Sequence, residues 1–493
     1  MSRTLQEAAL YGESLYIDGR WEAGQGAIVE SVDPATEKVL ARHRCADEFQ
    51  AALAVTAARR SVESGEWRTA DPDRRAKVLR RLADLIDEHT DELVDLVVRE
   101  VGSPITLARA LQVGQPAVNL RWFADAALRG PRGGYRERLP GIRGAVSSES
   151  VLVREPIGVV AAIVPYNYPL NMISWKVAPA LAAGCSVVLL PSPRGALSAL
   201  AFMRLADEAG LPPGALNLVL GGAEVGTVLS SHPDVDMVSF TGSSVVGSAV
   251  MAQAAATHKK VVLELGGKSP NILLPSADLR SAVGPSILRF CRNAGQGCGA
   301  TTRILVPEDR VDQFVDLAAG FIDEAVPTGD PFDERTEVGP LISAEHFDRV
   351  RGYLDRAVAA GGRVAVAGER PAGPGWFLPP TLVTGVSNDA EICRDELFAP
   401  VAVILPYRTV DEAVAIANDS PYGLNASVFG ELDEALAVAG RLDAGTVAIN
   451  GGGPMRPDVP WGGSKRSGTG VEMGEDGFAE FFRIKHLNWQ VPS

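Results

Sequence analysis

The sequence has no apolar run long enough to cross a bilayer. Its longest, such as Ile157 to Pro165, are strand-length against the ~20 residues a membrane helix needs, so no spanning helix is expected. It also lacks any dense stretch of Lys and Arg. With a formal net charge of -14, it offers no basic surface for a phosphate backbone, which excludes a nucleic-acid partner. Five cysteines (Cys45, Cys185, Cys291, Cys298 and Cys393) are an odd number at wide spacing, neither a disulfide framework nor a paired zinc motif. They are expected as free thiols, with no metal site. The opening stretch MSRTLQEAALYGESLYIDG holds no apolar core of signal-peptide type, so a cytoplasmic location is expected.

What is present is the composition of a globular protein. The 493 residues are 46% hydrophobic and 22% charged, and that length predicts two or three domains. From Asp47 to about Val113, apolar residues recur at three- and four-residue steps among Arg, Asp and Glu, which predicts amphipathic helices. After a Gly/Arg-rich loop, Ser147 to Glu155 reads as extended. Gly158 to Val164 is a near-continuous apolar run, typical of a strand buried on both faces. Helix and strand then alternate through Val261 to Leu265, which predicts parallel strands in a doubly wound sheet with ligands at the strand carboxyl ends. A second alternating region runs from near Ser281 to about Ile449, with strands at Arg303 to Val306, Val364 to Ala367, Val401 to Pro406 and Thr446 to Ile449. The last stretch, Phe478 to Pro492, reads as extended and suited to pairing with Ser147 to Glu155 or with another subunit.

Three stretches carry chemistry. In Gly295-Gln-Gly-Cys298 a cysteine follows small residues in a loop before a strand; alone, it is either an idle thiol or a nucleophile. None of the six histidines lies in a Gly-rich turn beside it, which disfavours a Cys-His hydrolase. In Leu263-Glu-Leu-Gly-Gly-Lys268, Glu264 interrupts an apolar strand. It is either paired with Lys268 or, with its pKa raised by apolar flanks, a general base for water. In Pro165-Tyr-Asn-Tyr-Pro169, Asn167 ends a buried strand, where an amide either bonds its own turn or donates to a developing oxyanion.

Together with Glu155-Pro-Ile-Gly-Val-Val160, Ser239-Phe-Thr-Gly-Ser243, Glu396-Leu-Phe-Ala-Pro-Val401 and Pro460-Trp-Gly-Gly-Ser-Lys-Arg-Ser-Gly468, these stretches resemble the aldehyde dehydrogenase superfamily in order and spacing over nearly the whole chain. The resemblance implies an α/β fold with two doubly wound domains and a small extended oligomerisation element. Residues 1–132 and 152–264 would bind the dinucleotide, 265–465 would be catalytic, and 133–151 with 466–493 would bridge subunits of a homodimer or homotetramer. It further implies a hydrolytic, NAD- or NADP-dependent oxidation of a small-molecule aldehyde to a carboxylic acid. Cys298 would be the nucleophile forming a thiohemiacetal and then a thioester, Glu264 the base that activates water, and Asn167 the oxyanion donor. Glu396 would bond the nicotinamide ribose, and the cofactor would be held by Ile163, Pro165, Tyr166, Lys176, Ser192, Arg194, Gly242, Ser243, Leu265 and Phe398. Substrate would sit near Asn171 to Lys176, around Cys298 and along Gly451 to Trp461.

The chain departs from the family where a Lys and, three residues later, a Glu bind the adenosine ribose: it reads Leu190-Pro-Ser-Pro193. Loss of the carboxylate removes a charge that repels a 2'-phosphate, and Arg194 either binds such a phosphate or points into solvent. Tyr166 replaces a frequent Trp or Phe, and Ala399 replaces the usual glycine. The alternative reading is a Cys298 esterase, thioesterase or non-catalytic relative with weakened dinucleotide binding. No arginine cluster marks the substrate region in the sequence, which suggests an apolar or aromatic aldehyde.

Overall fold

The structure is a computed structural model that describes residues 13–144 and 147–491. The apolar segments expected as buried parallel strands are so. Val159–Val164 lies at the centre of an eight-stranded sheet, flanked by Ser186–Pro191 and Leu216–Leu218 on one side and by Met237–Thr241 and Lys260–Glu264 on the other. In chain order these five parallel strands run 3-2-1-4-5 across the sheet. The order reverses between Val159–Val164 and Met237–Thr241, and a doubly wound sheet opens a ligand crevice at such a reversal. The helix Pro169–Ala183 follows the central strand, starting on a proline whose fixed φ suits a first helical turn, and is buried along its whole length.

Leu265–Ser269 carries the chain from this sheet into a second one. Its seven strands are, in spatial order, Arg363–Ala367, Thr381–Thr384, Val401–Tyr407, Arg303–Pro307, Pro270–Leu273, Asn425–Phe429 and Thr446–Ile449. Three of these were not legible. Pro270–Leu273 opens on a proline and carries Asn271, Thr381–Thr384 is four residues long, and Asn425–Phe429 mixes Asn and Ser into its run, so none shows a clean apolar period. Each sheet has its own cluster of buried side chains.

Phe482–Val491 pairs antiparallel with Ser147–Pro156, His486 opposite Leu152, and Arg136–Ile142 completes a separate three-stranded sheet. The expected extended stretch from Phe478 begins later than the sequence suggested. Gly474–Ala479 is helical, and Phe478, Phe481 and Phe482 are buried at steps of three and one, a helical spacing read at first as a strand. Pro492 lies outside the described residues. Of the C-terminal segment, Gly468–Thr469 joins the edge of the first sheet beside Leu263 and Glu264.

Candidate active site

A cavity of about 770 Å³ opens where the two sheets face each other, and Asn167, Glu264 and Cys298 all line it. Asn167 follows the central strand of the first sheet, and its side-chain nitrogen donates to the Gln296 carbonyl at 2.8 Å. One N–H of that amide remains uncommitted. The Asn167 carbonyl in turn accepts from the Gln112 side chain at 3.0 Å and the Asn293 side chain at 2.8 Å. Gln112 lies in a π-helical turn, Ala108–Val113, a widened geometry that often marks functional positions.

The loop that presents Cys298 is held in an unfavourable backbone conformation. Asn293, Ala294 and Gly295 have φ of 54°, 53° and 69°, three consecutive residues in the left-handed region, two of them not glycine. Such residues cost on the order of 1–3 kcal/mol each and persist only where their surroundings fix them. Here Asn293 is fixed by Asn167, and the Gln296 side-chain oxygen accepts from the Ile342 backbone N–H at 3.0 Å. At Gly295 a Cβ would collide with the Ala399 carbonyl, so only glycine fits that turn. The Cys298 thiol is half-buried. Burial pushes it up to about 12, with the Glu396 and Glu264 carboxyls acting in the same direction. It therefore rests as a thiol.

Glu264 ends the strand Lys260–Glu264, and neither of its oxygens has a hydrogen-bond partner among the described residues although the side chain is buried. The pairing with Lys268 weighed from sequence is absent. Burial raises Glu264 well above the ordinary carboxylate range, the Glu472 carboxyl raises it further, and Lys176 lowers it. Lys176 itself is fully buried, bonded to Ser239 Oγ at 3.0 Å and paired with Glu472 at 2.5 Å. Lys176 was assigned to the cofactor; its ammonium is committed to Glu472 and does not reach the cavity wall.

Most of the other anticipated cofactor residues do line the cavity. Pro165 and Tyr166 extend the central strand, Gly242 and Ser243 lead into the helix Ser244–Ala255, and Leu265 follows Glu264. Glu396 and Phe398 close the opposite side. Ser243 caps that helix through the Val246 backbone N–H, leaving the free amides of a helix N-terminus toward the cavity, a disposition suited to a pyrophosphate. Glu396 accepts from the Gly267 backbone N–H at 3.1 Å, and burial pushes it up to about 7. A Cβ at Gly266 would collide with the Glu396 carboxylate, so glycine there permits its approach. A cavity of this volume lined by these groups is large enough for a dinucleotide.

Two anticipated residues stand back from it. Ile163 stays within its strand, and the Ser192 hydroxyl caps the Arg194 backbone N–H at 3.4 Å. Arg194 does line the cavity. It pairs with Glu345 at 3.2 Å, a partner the sequence gave no sign of.

The profile of the aldehyde dehydrogenase family matches residues 21–487. The chain belongs to that family. It is 42% identical over 95% of its length to a 3-succinoylsemialdehyde-pyridine dehydrogenase of a Pseudomonas species, covering 97% of that relative. It is 36% identical to a betaine aldehyde dehydrogenase of Bacillus subtilis over 96% of its length and 97% of the relative's. Among solved structures, aldehyde dehydrogenase C of Pseudomonas syringae, bound to NAD+ and octanal, superposes with a TM-score of 0.90 at 42% identity, over 97% of this chain and 96% of that one. Betaine aldehyde dehydrogenase of Staphylococcus aureus, bound to NAD+, gives 0.93 at 36% identity, over 98% and 96%. The chain is thus an NAD(P)-dependent aldehyde dehydrogenase, oxidising an aldehyde to a carboxylic acid.

Sequence reasoning missed Glu472 and Gln296, and did not place Arg289 and Arg292 on the cavity wall, where both lie. Gln296 sits inside the Gly-Gln-Gly-Cys motif and was within reach; Glu472 is 296 residues from its partner Lys176 and was not.

Proposed function

We propose that Cys298, Asn167 and Glu264 carry the oxidation as nucleophile, oxyanion donor and base. The observation that supports this best is Glu264: a buried carboxyl with no partner, in the cavity that holds the thiol, is costly unless it is used. The Cys298 thiol gives up its proton to water in the cavity as its sulfur attacks the aldehyde carbon, and the oxyanion of the thiohemiacetal is received by the free Asn167 N–H and the Cys298 backbone N–H. A dinucleotide, when bound, would supply hydride acceptance, and Gly242, Ser243, Glu396 and Phe398, which line the cavity, would hold it. The oxidised carbon remains as an acyl thioester on Cys298. Water that has given its proton to Glu264 attacks it, the C–S bond breaks, and the carboxylic acid leaves.

Residues 1–132 and 152–264 serve as the dinucleotide-binding part, 265–465 as the catalytic part, and 133–151 with 466–493 as bridging segments. Assembly as a homodimer or homotetramer is supported by Phe482–Val491, an edge strand ten residues long on which Ile484, Leu487 and Trp489 are exposed. A cytoplasmic location is supported by five free cysteines. The test is a rapid-mixing experiment with aldehyde and NAD+ on wild type, Cys298→Ala and Glu264→Gln. Steady turnover in the first, none in the second and a single burst of reduced cofactor in the third are expected. Steady turnover by Cys298→Ala would overturn the reading.

A further inference from the structure

Two arginines stand on the cavity wall away from the dinucleotide residues, at the end of the helix Leu279–Cys291 and its exit: Arg289 and Arg292. Arg289 is half-buried. It donates to the Gly451 carbonyl at 3.1 Å, and burial together with the like charge of Arg292 pushes it below the ordinary guanidinium range. Neither has a carboxylate salt-bridge partner among the described residues, although Glu337 lies within electrostatic reach of Arg292. Arg194, by contrast, is paired with the Glu345 carboxylate. Two neighbouring positive charges, one of them half-buried and neither in a carboxylate salt bridge among the described residues, favour an anion in the cavity beside them. That they persist in a chain of net charge -14 makes the local excess more telling.

The space between these arginines and the thiol suits a hydrocarbon stem. Tyr168 is close enough to feel both the Arg292 charge and the Cys298 sulfur. Trp461 packs against the backbone beside the nucleophile, 3.0 Å from where a Cβ on Gly299 would stand, and meets Trp175 edge-on with ring centroids 6.1 Å apart. Met455 lies opposite Asn171 at 3.9 Å. A cavity lined by the nucleophile, by aromatic side chains and by two guanidinium groups with no carboxylate salt bridge among the described residues is complementary to one class of molecule.

We propose that the aldehyde this enzyme oxidises carries a carboxylate at its far end, received by Arg289 and Arg292, with a methylene or aryl stem along Tyr168 and Trp461. The inference rests on the assignment of Cys298 as nucleophile, since it orients the substrate from that sulfur. Guanidinium forks bind carboxylates with two parallel charge-assisted hydrogen bonds, which gives the pair both attraction and direction. The apolar aldehyde suggested by sequence is replaced by an ω-carboxylated one, because an Arg-x-x-Arg spacing reads equally as a solvated helix face until the cavity is seen.

The test compares kcat/KM for 4-oxobutanoate, 6-oxohexanoate and 8-oxooctanoate with butanal, hexanal and octanal, with NAD+ and with NADP+. At least one carboxylated member should exceed its uncharged counterpart about tenfold or more. In Arg292→Leu and Arg289→Leu that preference should fall by about ten- to a hundredfold, chiefly through KM, the mark of a lost binding contact. Arg292→Lys, which keeps the charge, should retain more of it than Arg292→Leu. Preference for the plain alkanals at every length, or a preference unmoved in both leucine variants, overturns the inference and leaves the Cys298 chemistry standing. Failure of the wild type to oxidise any of the six aldehydes overturns the inference, while the nucleophile assignment is judged separately by Cys298→Ala. The wild-type comparison requires no variant to fold.

Discussion

The Asn167 side chain reaches from the first sheet to donate to the Gln296 carbonyl at 2.8 Å, two residues ahead of Cys298. One hydrogen bond thus sets the amide's orientation and pins the strained thiol loop. Asn167→Ala removes both. Turnover should fall roughly 10²- to 10³-fold, the usual cost of an oxyanion donor. Stability should drop by about 1–3 kcal/mol from the unpaired buried carbonyl. Steady-state kinetics alongside urea unfolding checks the two together, and unchanged turnover would remove Asn167 from the mechanism.

Glu264 predicts a pH dependence. Its pKa is raised by burial, so its basic form grows only as pH climbs well above the ordinary carboxylate range. Thioester hydrolysis should therefore rise with pH, and in Glu264→Gln the rising limb should vanish while the first turnover survives. Pre-steady-state traces across a pH series separate the two phases.

Lys176 lowers the Glu264 pKa and balances the buried Glu472 carboxylate. Lys176→Met leaves that carboxylate without a counter-ion, a loss of about 3–5 kcal/mol. It also removes the lowering influence on Glu264, so the pH limb should move upward. A denaturation midpoint and a kcat profile on the same preparation test both effects; a limb that stays in place would uncouple Lys176 from Glu264.

At the adenosine end, Leu190 and Pro193 supply no carboxylate to repel a 2'-phosphate, and Arg194 is tied to Glu345 by a pair in which Glu345 is largely exposed. Exposed pairs of this sort contribute about 0–1 kcal/mol, so a phosphate can displace Glu345. Both NAD+ and NADP+ should support turnover. Arg194→Ala should lower kcat/KM for NADP+ more than for NAD+, and Glu345→Gln should do the reverse. Equal loss with the two cofactors in Arg194→Ala would mean that Arg194 does not read the phosphate.

The parts of this site that sequence made legible are those whose neighbours in space are neighbours in the chain. Glu264 precedes the crossing from one sheet to the other and Asn167 follows a continuous apolar strand, so local pattern marked both. The ion pair of Lys176 was not legible because a lysine in an apolar helix shows only that it needs a partner, and its partner Glu472 lies 296 residues further along the chain. Arg289 and Arg292 were invisible for a different reason: which way a helix turns its charged face is decided by packing. The short strands of the second sheet were lost to polar residues such as Asn271, Asn425 and Ser427, which interrupt the apolar run that marks a buried parallel strand.

The crossing at Leu265–Ser269 has a consequence for how the enzyme fails. Its acid–base half hangs from one sheet and its sulfur half from the other, and no covalent feature other than the chain itself holds them in register. Catalysis is therefore a proximity gauge for two bodies: a slip between them that leaves every helix and strand intact extinguishes turnover. Heat or mild denaturant should silence this protein before any spectroscopic sign of melting.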